Sequence, residues 1–191
     1  SYQKAATDTL AVTPDNKPFR DQNGQLLFRP GGHGALLDNL NEQDADLLFI
    51  KNIDNVVPER SLETISSWKE VLGGFLLSLQ EQAFSYARIL EEGPVDVQLL
   101  SRIHDFLKAR LNVHFAESYS GFSLEEQISV LKDKLGRPIR VCGMVRNEGD
   151  PGGGPFWIRD ASGNESLQIV ESAQMDKEDE KQREIFSEAT H

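Results

Sequence analysis

The chain is poor in cysteine, with Cys142 alone among 191 residues. One thiol excludes an internal disulfide and any zinc cluster built from several cysteines, and it fits a reducing compartment such as the cytoplasm. No apolar run approaches the roughly twenty residues that a membrane-spanning helix needs. The sequence also contains no His-Glu-x-x-His helix, Gly-x-Ser-x-Gly elbow or Walker loop, which removes the usual signatures of zinc proteases, serine hydrolases and P-loop ATPases. We therefore expect a cytoplasmic protein without a membrane partner.

Basic residues are also scarce relative to acidic ones. The 20 Lys and Arg residues face 31 Asp and Glu residues, which gives a formal net charge of -11. Because there is no basic surplus to neutralise phosphates, nucleic acid is not an expected partner. The apolar fraction of 38% is typical of a folded protein, and the length is sufficient for one domain with its own core.

Several short segments have the pattern of strands. The apolar run Leu47–Ile50 predicts a strand buried on both faces of a largely parallel sheet. Arg137–Val145 also has a strand pattern, with Cys142 as an inert core thiol. Phe156–Arg159 and Ser166–Val170 flank turn residues and predict a hairpin, and a hairpin-like excursion is expected over Asp15–Gly24. These segments together favour an α/β fold.

Between the two groups of strands, the apolar spacing becomes helical. The pattern predicts a long helix from Leu62 to Glu92, broken or bent near Gly73-Gly74, and a second helix over Val97–Leu111. A third helix follows Ser123, whose spacing to Glu126 fits a capping box. We interpret this stretch as a helical insertion. The chain then divides into a first part of an α/β core, the insertion and a second part of the core, at residues 1–57, 58–136 and 137–191.

The turn Pro30–Gly34 is the first candidate site. Glycines accept positive φ and allow a ligand to approach the main chain, and a following helix, here predicted over Ala35–Asn41, directs free N–H groups towards a phosphate or a base edge. A tight strand-to-helix turn without a ligand needs the same glycines. His33 suits either a phosphate or acid-base contact, or a polar position in the loop.

Two carboxylates at predicted strand ends are further candidates. Asp54 follows the Leu47–Ile50 run, where it can hold a magnesium ion that bridges phosphates, although Asp54 and Asn55 equally suit a cap or turn. Glu171 ends the second strand of the predicted hairpin. Its carboxylate can accept hydrogen bonds from sugar hydroxyls or remain solvated.

Three of these segments, in order, resemble the UDP-sugar pyrophosphorylases. Tyr2-Gln3-Lys4 is similar to that family's F-x-Q segment, Pro30–Gly34 to its P-G/D-G-N-G-G segment, and Ile53-Asp54-Asn55 to its V-D-N. The resemblance implies that Gln3 reads the base and that Gly31, Gly32 and His33 contact the nucleotide. It also implies that Asp54 binds magnesium.

The resemblance continues in the last third of the chain. Val141–Val145 is similar to the strand whose glycine, here Gly143, contacts the sugar, and Gln168–Glu171 is similar to V-V-E-Y, whose glutamate binds sugar hydroxyls. Ala189-Thr190-His191 lies where the family has N-H-F-F, which gives Thr190 the position of a sugar-binding asparagine. His33 also replaces an asparagine. The implied fold is a nucleotidyltransferase-like, Rossmann-related mixed sheet.

Longer phrases resemble a bacterial family known only as a domain of unknown function. They are RPGGHGAL, IKNIDNVVP, RPIRVCGMVRNEGDPGGGPFW and LQIVESAQ. We expect the chain to be a central fragment of such a protein, without the glycine loop and the lysine that grip phosphates in the pyrophosphorylases. The expected function is then part of an enzyme that makes a nucleotide sugar from a sugar 1-phosphate and a nucleoside triphosphate, inactive as an isolated fragment. The alternative is a non-catalytic nucleotide-sugar-binding or protein-interaction module.

Overall fold

Helices provide most of the regular structure in the later part of the chain. A computed structural model describes residues 3–51, 56–148 and 152–190, which form two compact units, Ser1–Val56 and Val57–His191. The helices are α1 (Leu37–Asn41), α2 (Leu62–Glu92), α3 (Val97–Leu111), α4 (Leu124–Leu135) and α5 (Glu180–Glu188). The strands are β1 (Thr9–Leu10), β2 (Phe28–Arg29), β3 (Val113–His114), β4 (Gly153–Arg159) and β5 (Glu165–Glu171). Within the described ranges, no helix is both long enough and apolar enough to cross a bilayer.

The first unit is a small antiparallel ribbon followed by a short helix. Strands β1 and β2 pair with Thr9 opposite Arg29, and the bridge between Arg20 and Leu26 extends the excursion that the turn residues predict. Gly24 has a φ of 78°, a value that suits glycine in such a turn. After β2, a 3₁₀ turn leads directly into α1. The predicted hairpin-like excursion and short helix are both confirmed.

The second unit is organised around α2, α3 and α4, whose ends are set by caps. The Asp96 side chain accepts a hydrogen bond from the Leu99 amide at 2.7 Å, and Asn112 ends α3 in the left-handed region. Ser123 and Glu126 form the predicted capping box at the start of α4. The three predicted helices are confirmed, and of the predicted break or bend near Gly73-Gly74 the break is wrong, because α2 is continuous there.

The core lies where these helices face one another. Ile103, Leu107 and Leu131 are the largest fully buried side chains, and each contributes about 1.5–3 kcal/mol relative to exposure. The helical period explains the packing, because residues three and four apart share a face. The described buried core comprises Leu79, Ala83, Leu90, Leu99, Leu100, Ile103, Phe106, Leu107, Val113, Leu131 and Leu135.

A three-stranded antiparallel sheet completes the second unit, in the order β3-β5-β4. Phe156 lies opposite Gln168, which confirms the predicted hairpin. Asp160 holds its turn, since its Oδ1 accepts hydrogen bonds from the Ser162 and Asn164 amides at 2.9 Å. Strand β3, inside the predicted insertion, pairs with β5, inside the predicted second part of the core. The three-part division at residues 57 and 136 stays a prediction.

Two predicted strands are wrong. Leu47–Ile50 is irregular, and Ile50 is 79% exposed rather than buried. Arg137–Val145 is also irregular: Ile139 and Val141 pack against the core, but the segment joins no described ladder, and Cys142 is exposed. All strand pairs of the described chain are antiparallel, which contradicts a largely parallel sheet. The protein is therefore mixed α/β with small antiparallel sheets, and the nucleotidyltransferase-like fold stays a prediction.

Candidate functional site

The glycine turn of the first unit has a backbone that only glycine adopts without strain. Gly32 has a φ of 78° and a ψ of −162°. A Cβ on Gly31 would lie 2.8 Å from the carbonyl oxygen of Thr7, closer than side chains approach a backbone oxygen. Both glycines are therefore required by the turn itself, whether or not a ligand binds there.

Gln3 belongs to the segment that packs against this turn. Its Nε2 donates to Asp8 Oδ1 at 3.2 Å, and the 3₁₀ turn Ala5–Thr7 follows it. Because the Thr7 carbonyl contacts Gly31, the structure brings a residue four positions after Gln3 against the glycine turn. The resemblance assigns the nucleotide to Gln3 and to the glycine turn.

Two other predicted site residues of this region lie beyond what the structure describes. The His33 backbone begins the 3₁₀ turn, but its side chain is outside the described residues. Asp54, the predicted magnesium ligand, is also outside them. Helix α1 has only five residues, so its dipole gives the turn little help with an anion. Among the described ranges, no group of three or more His, Cys, Asp or Glu residues is arranged to hold a metal ion.

The three predicted sugar-binding residues all lie in the second unit. Gly143 is in the irregular segment, where a Cβ would lie 3.7 Å from Leu72 Cδ1, an ordinary contact distance. Glu171 ends β5 opposite Gly153, and its amide donates to Gln174 Oε1 at 2.9 Å.

Thr190 is hydrogen-bonded through its backbone to the chain just after the Gly143 segment. Its carbonyl accepts a hydrogen bond from the Asn147 amide at 2.8 Å, a few residues after Gly143. The last residues of the described chain therefore lie beside the segment that the resemblance assigns to the sugar. The predicted convergence of Gly32 and Asp54 with Gly143 and Glu171 stays a prediction, since Asp54 is outside the described residues and the other three belong to two separate units.

A cavity of about 340 Å³ opens between the helices and the sheet of the second unit. Its walls come from α2, the end of α3, α4, the irregular segment after α4, and strands β3, β4 and β5. The residues around it are Phe75, Leu79, Arg110, Leu111, Asn112, Val113, Lys134, Arg137, Pro138, Ile139, Arg140, Val141, Cys142, Met144, Pro155, Ser166, Leu167, Gln168 and Ile169.

Sequence reasoning missed the basic residues at this cavity. Arg110 lies in the last turn of α3. The helix dipole favours a cation at this end of any helix, so an arginine here does not by itself indicate a binding site. Lys134 occupies the same position in α4, and its side chain is buried. Arg137 and Arg140 flank Pro138-Ile139 in a segment that the alternation assigned to a strand. The available signal was four basic residues at the ends of α3 and α4 and in the segment after α4, which only the tertiary structure brings together.

The comparisons with known proteins add a family but no activity. A family model described as "Domain of unknown function (DUF4301)" matches residues 1–191. No curated protein and no solved structure matches the chain. The match extends over both compact units.

Proposed function

We propose that this chain, which belongs to the DUF4301 family, is the central part of a protein that forms a nucleotide sugar from a sugar 1-phosphate and a nucleoside triphosphate. The isolated chain is expected to be inactive. The observation that supports the proposal is that Thr7, four residues after Gln3, contacts Gly31 of the glycine turn. The resemblance assigns Gln3 and the glycine turn to one nucleotide, and two segments that bind one nucleotide must lie close together.

The proposed reaction needs mainly positioning and charge stabilisation. In-line attack by the sugar phosphate on the α-phosphorus requires both substrates to be held in one orientation, which can supply several kcal/mol of the barrier. Gln3, Gly31, Gly32 and His33 would hold the nucleotide. Asp54 offers the oxygen donor that magnesium prefers, and the bound ion would neutralise phosphate charge.

The sugar would be held in the second unit. The resemblance assigns sugar binding to Gly143, Glu171 and Thr190. The Glu171 carboxylate would accept hydrogen bonds from the sugar hydroxyl groups. Gly143 gives the sharpest test, because the structure has room for one added methyl group there: the nearest atom would be Leu72 Cδ1 at 3.7 Å. A methyl group at this position can therefore obstruct a ligand without disturbing the fold.

The experiment measures binding to the full-length protein by calorimetry with magnesium, using UDP-sugars and the matching nucleoside triphosphate. We expect Gly143→Ala to weaken UDP-sugar binding by about tenfold, roughly 1.4 kcal/mol, and to leave triphosphate binding unchanged. Gly121→Ala is the matched control, since a Cβ there meets nothing within 4 Å and the residue has no role in the proposed site. Absence of binding by any nucleotide or nucleotide sugar would contradict the proposal.

A second candidate is a non-catalytic module that binds a nucleotide sugar or another protein. It is favoured by the exposed apolar side chains in the first half of α2, where Trp68 is 66% exposed. Patches of this type often mark interaction surfaces. Release of pyrophosphate from the full-length protein with both substrates present separates the candidates, because the module would bind without turnover.

A further inference from the structure

We infer that the cavity of the second unit is a binding site for a small organic phosphate monoester. This inference goes beyond the proposed function and does not depend on it. Among the described residues around the cavity, none has been assigned to the base, the sugar or the metal. The site is built instead from residues at the ends of α3 and α4 and from the irregular segment that follows.

The charge at the cavity is opposite to that of the chain. Four described residues around it are basic, namely Arg110, Lys134, Arg137 and Arg140, and none of the described residues around it is acidic. The whole sequence has 31 acidic residues against 20 basic ones. A cavity that gathers cations and excludes carboxylates in such a chain is arranged for an anion.

Two of the four cations already have partners outside the cavity wall. Lys134 Nζ lies 3.3 Å from Asp133 Oδ2 and 3.4 Å from Asp160 Oδ2, and Arg137 also pairs with Asp133, at 3.3 Å. Partial burial of Asp160 acts to raise its pKa, but hydrogen bonds from Asn164 and the Lys134 ammonium together hold that pKa below its usual value. Asp160 therefore remains ionised near neutral pH as an exposed counter-ion of the buried Lys134.

The other two cations have no carboxylate partner in the described chain. Arg110 lies over the ring of Phe75, with its guanidinium carbon 5.5 Å from the ring centre, and makes no described ion pair. Arg140 donates through Nη2 to the Oε1 of Gln168, a neutral acceptor, which leaves its other N–H groups available. Two arginines without a carboxylate partner among the described residues thus line one cavity, and both are exposed to solvent.

A phosphate monoester fits this arrangement in charge, geometry and size. Its charge of about −1.5 to −2 near neutral pH matches the two free cations. Guanidinium groups bind phosphate oxygens through paired N–H donors. At about 340 Å³ the cavity is larger than a phosphate group needs, and Leu79, Leu111 and Val113 give it an apolar wall for an organic part.

Cys142 provides a local reporter of occupancy. It is the only cysteine of the chain, it is exposed, and it contributes to the cavity wall. The experiment follows alkylation of Cys142 by neutral iodoacetamide in the full-length protein, by mass spectrometry of the peptide that contains it. We expect roughly 10 mM glycerol 3-phosphate to slow the reaction by about tenfold, which corresponds to a Kd near 1 mM. Glycerol alone, which lacks the phosphate, should give no protection.

Variants connect the protection to the two free cations. Arg110→Gln and Arg140→Gln should each raise the concentration of glycerol 3-phosphate needed for half-protection by about tenfold, through loss of one charge-assisted contact. Rates with and without ligand are compared within each variant, so that any change in intrinsic thiol reactivity cancels. Arg102→Gln on the exposed side of α3 and Arg146→Gln beyond the cavity are the matched controls, and both should protect as the wild type does.

Three results would overturn the inference. The first is no protection by glycerol 3-phosphate in a wild-type protein whose circular dichroism shows a folded chain. The second is protection that Arg102→Gln weakens as much as Arg140→Gln does, which would indicate a diffuse electrostatic effect. The third is stronger protection by inorganic phosphate than by glycerol 3-phosphate at the same concentration, which would assign the cavity to the free ion. Absence of nucleotide-sugar binding would end the proposed function and leave this result unchanged.

Discussion

The two units of the chain are stabilised in different ways. Every buried apolar residue of the described core belongs to the second unit, between Leu79 and Leu135. In the first unit, no residue whose burial the structure describes is buried, and large apolar side chains such as Phe28, Leu37 and Phe49 are exposed. The second unit thus has a packed apolar core beside its sheet. The first unit is a small ribbon with turns and a short helix, held mainly by backbone hydrogen bonds.

The two units also differ in the interactions that stabilise them and in the candidate sites that they contain. Backbone hydrogen bonds such as Ala11 N–H to Leu27 O at 2.9 Å hold the first unit, and each contributes about 0.5–1.5 kcal/mol net. Apolar burial contributes more for each residue in the second unit. The proposed nucleotide segments therefore lie on the part of the chain with the least burial, whereas the cavity lies against the core.

The largest expected difference between the units is in amide hydrogen exchange. Amides in α3 near Ile103 and Leu107, both 0% exposed, should open only with the whole second unit. The Ala11 and Phe19 amides, bonded within the exposed ribbon, should exchange at least about 100-fold faster. The measurement is exchange followed by NMR or by mass spectrometry of peptides. Equal protection in the two units would remove the contrast.

A matched pair of leucines gives the next largest effect. Leu79 is 3% exposed in the core, and Leu37 is 57% exposed in α1. Leu79→Ala should lower the free energy of unfolding by about 2–4 kcal/mol, since it removes buried methyl groups and leaves a cavity. Leu37→Ala should change it by less than about 0.5 kcal/mol. Urea denaturation of both variants is the measurement, and a large loss at Leu37 would indicate burial that the structure does not have.

A pair of aspartates gives the smallest expected effect and is sensitive to pH. The Lys17 ammonium and the Thr13 hydroxyl lower the pKa of Asp15, just as contacts in the turn lower that of Asp160, but the Asp15 side chain is the more exposed and its partner Lys17 is exposed as well. Asp160→Asn should cost about 1 kcal/mol at pH 7, since it removes one charged partner of buried Lys134 but the Asp160 side chain is 38% exposed and screened by solvent. Asp15→Asn should have no measurable effect.

The direction in which the pKa of Asp160 is shifted determines how its contribution to stability changes with pH. A lowered pKa in the folded state means that its contribution to stability is present above the ordinary value of 3.8 and is lost as the pH falls below it. The difference in unfolding free energy between the wild type and Asp160→Asn should therefore shrink below about pH 4. Urea titrations at several pH values check this. A difference that grows in acid would contradict the assigned role of Asp160.

The helices could be predicted closely from the sequence. The stripe of α3 and the Ser123–Glu126 spacing gave elements that the structure confirms, because helix contacts are local and their period appears within one segment. The hairpin around Asp160 was equally local, since its turn residues fix the pairing of the adjacent strands.

The wrong strands depended on partners that a pattern does not reveal. Leu47–Ile50 has the composition of a buried strand, but a short apolar run carries no information on whether another strand lies beside it. Ile139 and Val141 do pack against the core, two positions apart as in a strand. The segment nevertheless remains outside the sheet, in which β5 pairs with β3 and β4.

The candidate site shows the same division. The glycine turn was found from Gly31 and Gly32, whose backbone requirements are local. The gathering of Arg110, Lys134 and Arg140 around one cavity was missed, since these residues come from the end of α3, the end of α4 and an irregular segment. Each has an ordinary local explanation, so only their shared position makes them notable.

By itself, the sequence determined the helices, their caps, the β4–β5 hairpin and the glycine turn, because each depends on residues within a few positions of one another. The tertiary structure alone decided which apolar runs became strands, which stripe was buried, and where four basic side chains met in an acidic protein. These outcomes depend on contacts between distant segments. Their free energy comes from burial and pairing that no single segment contains.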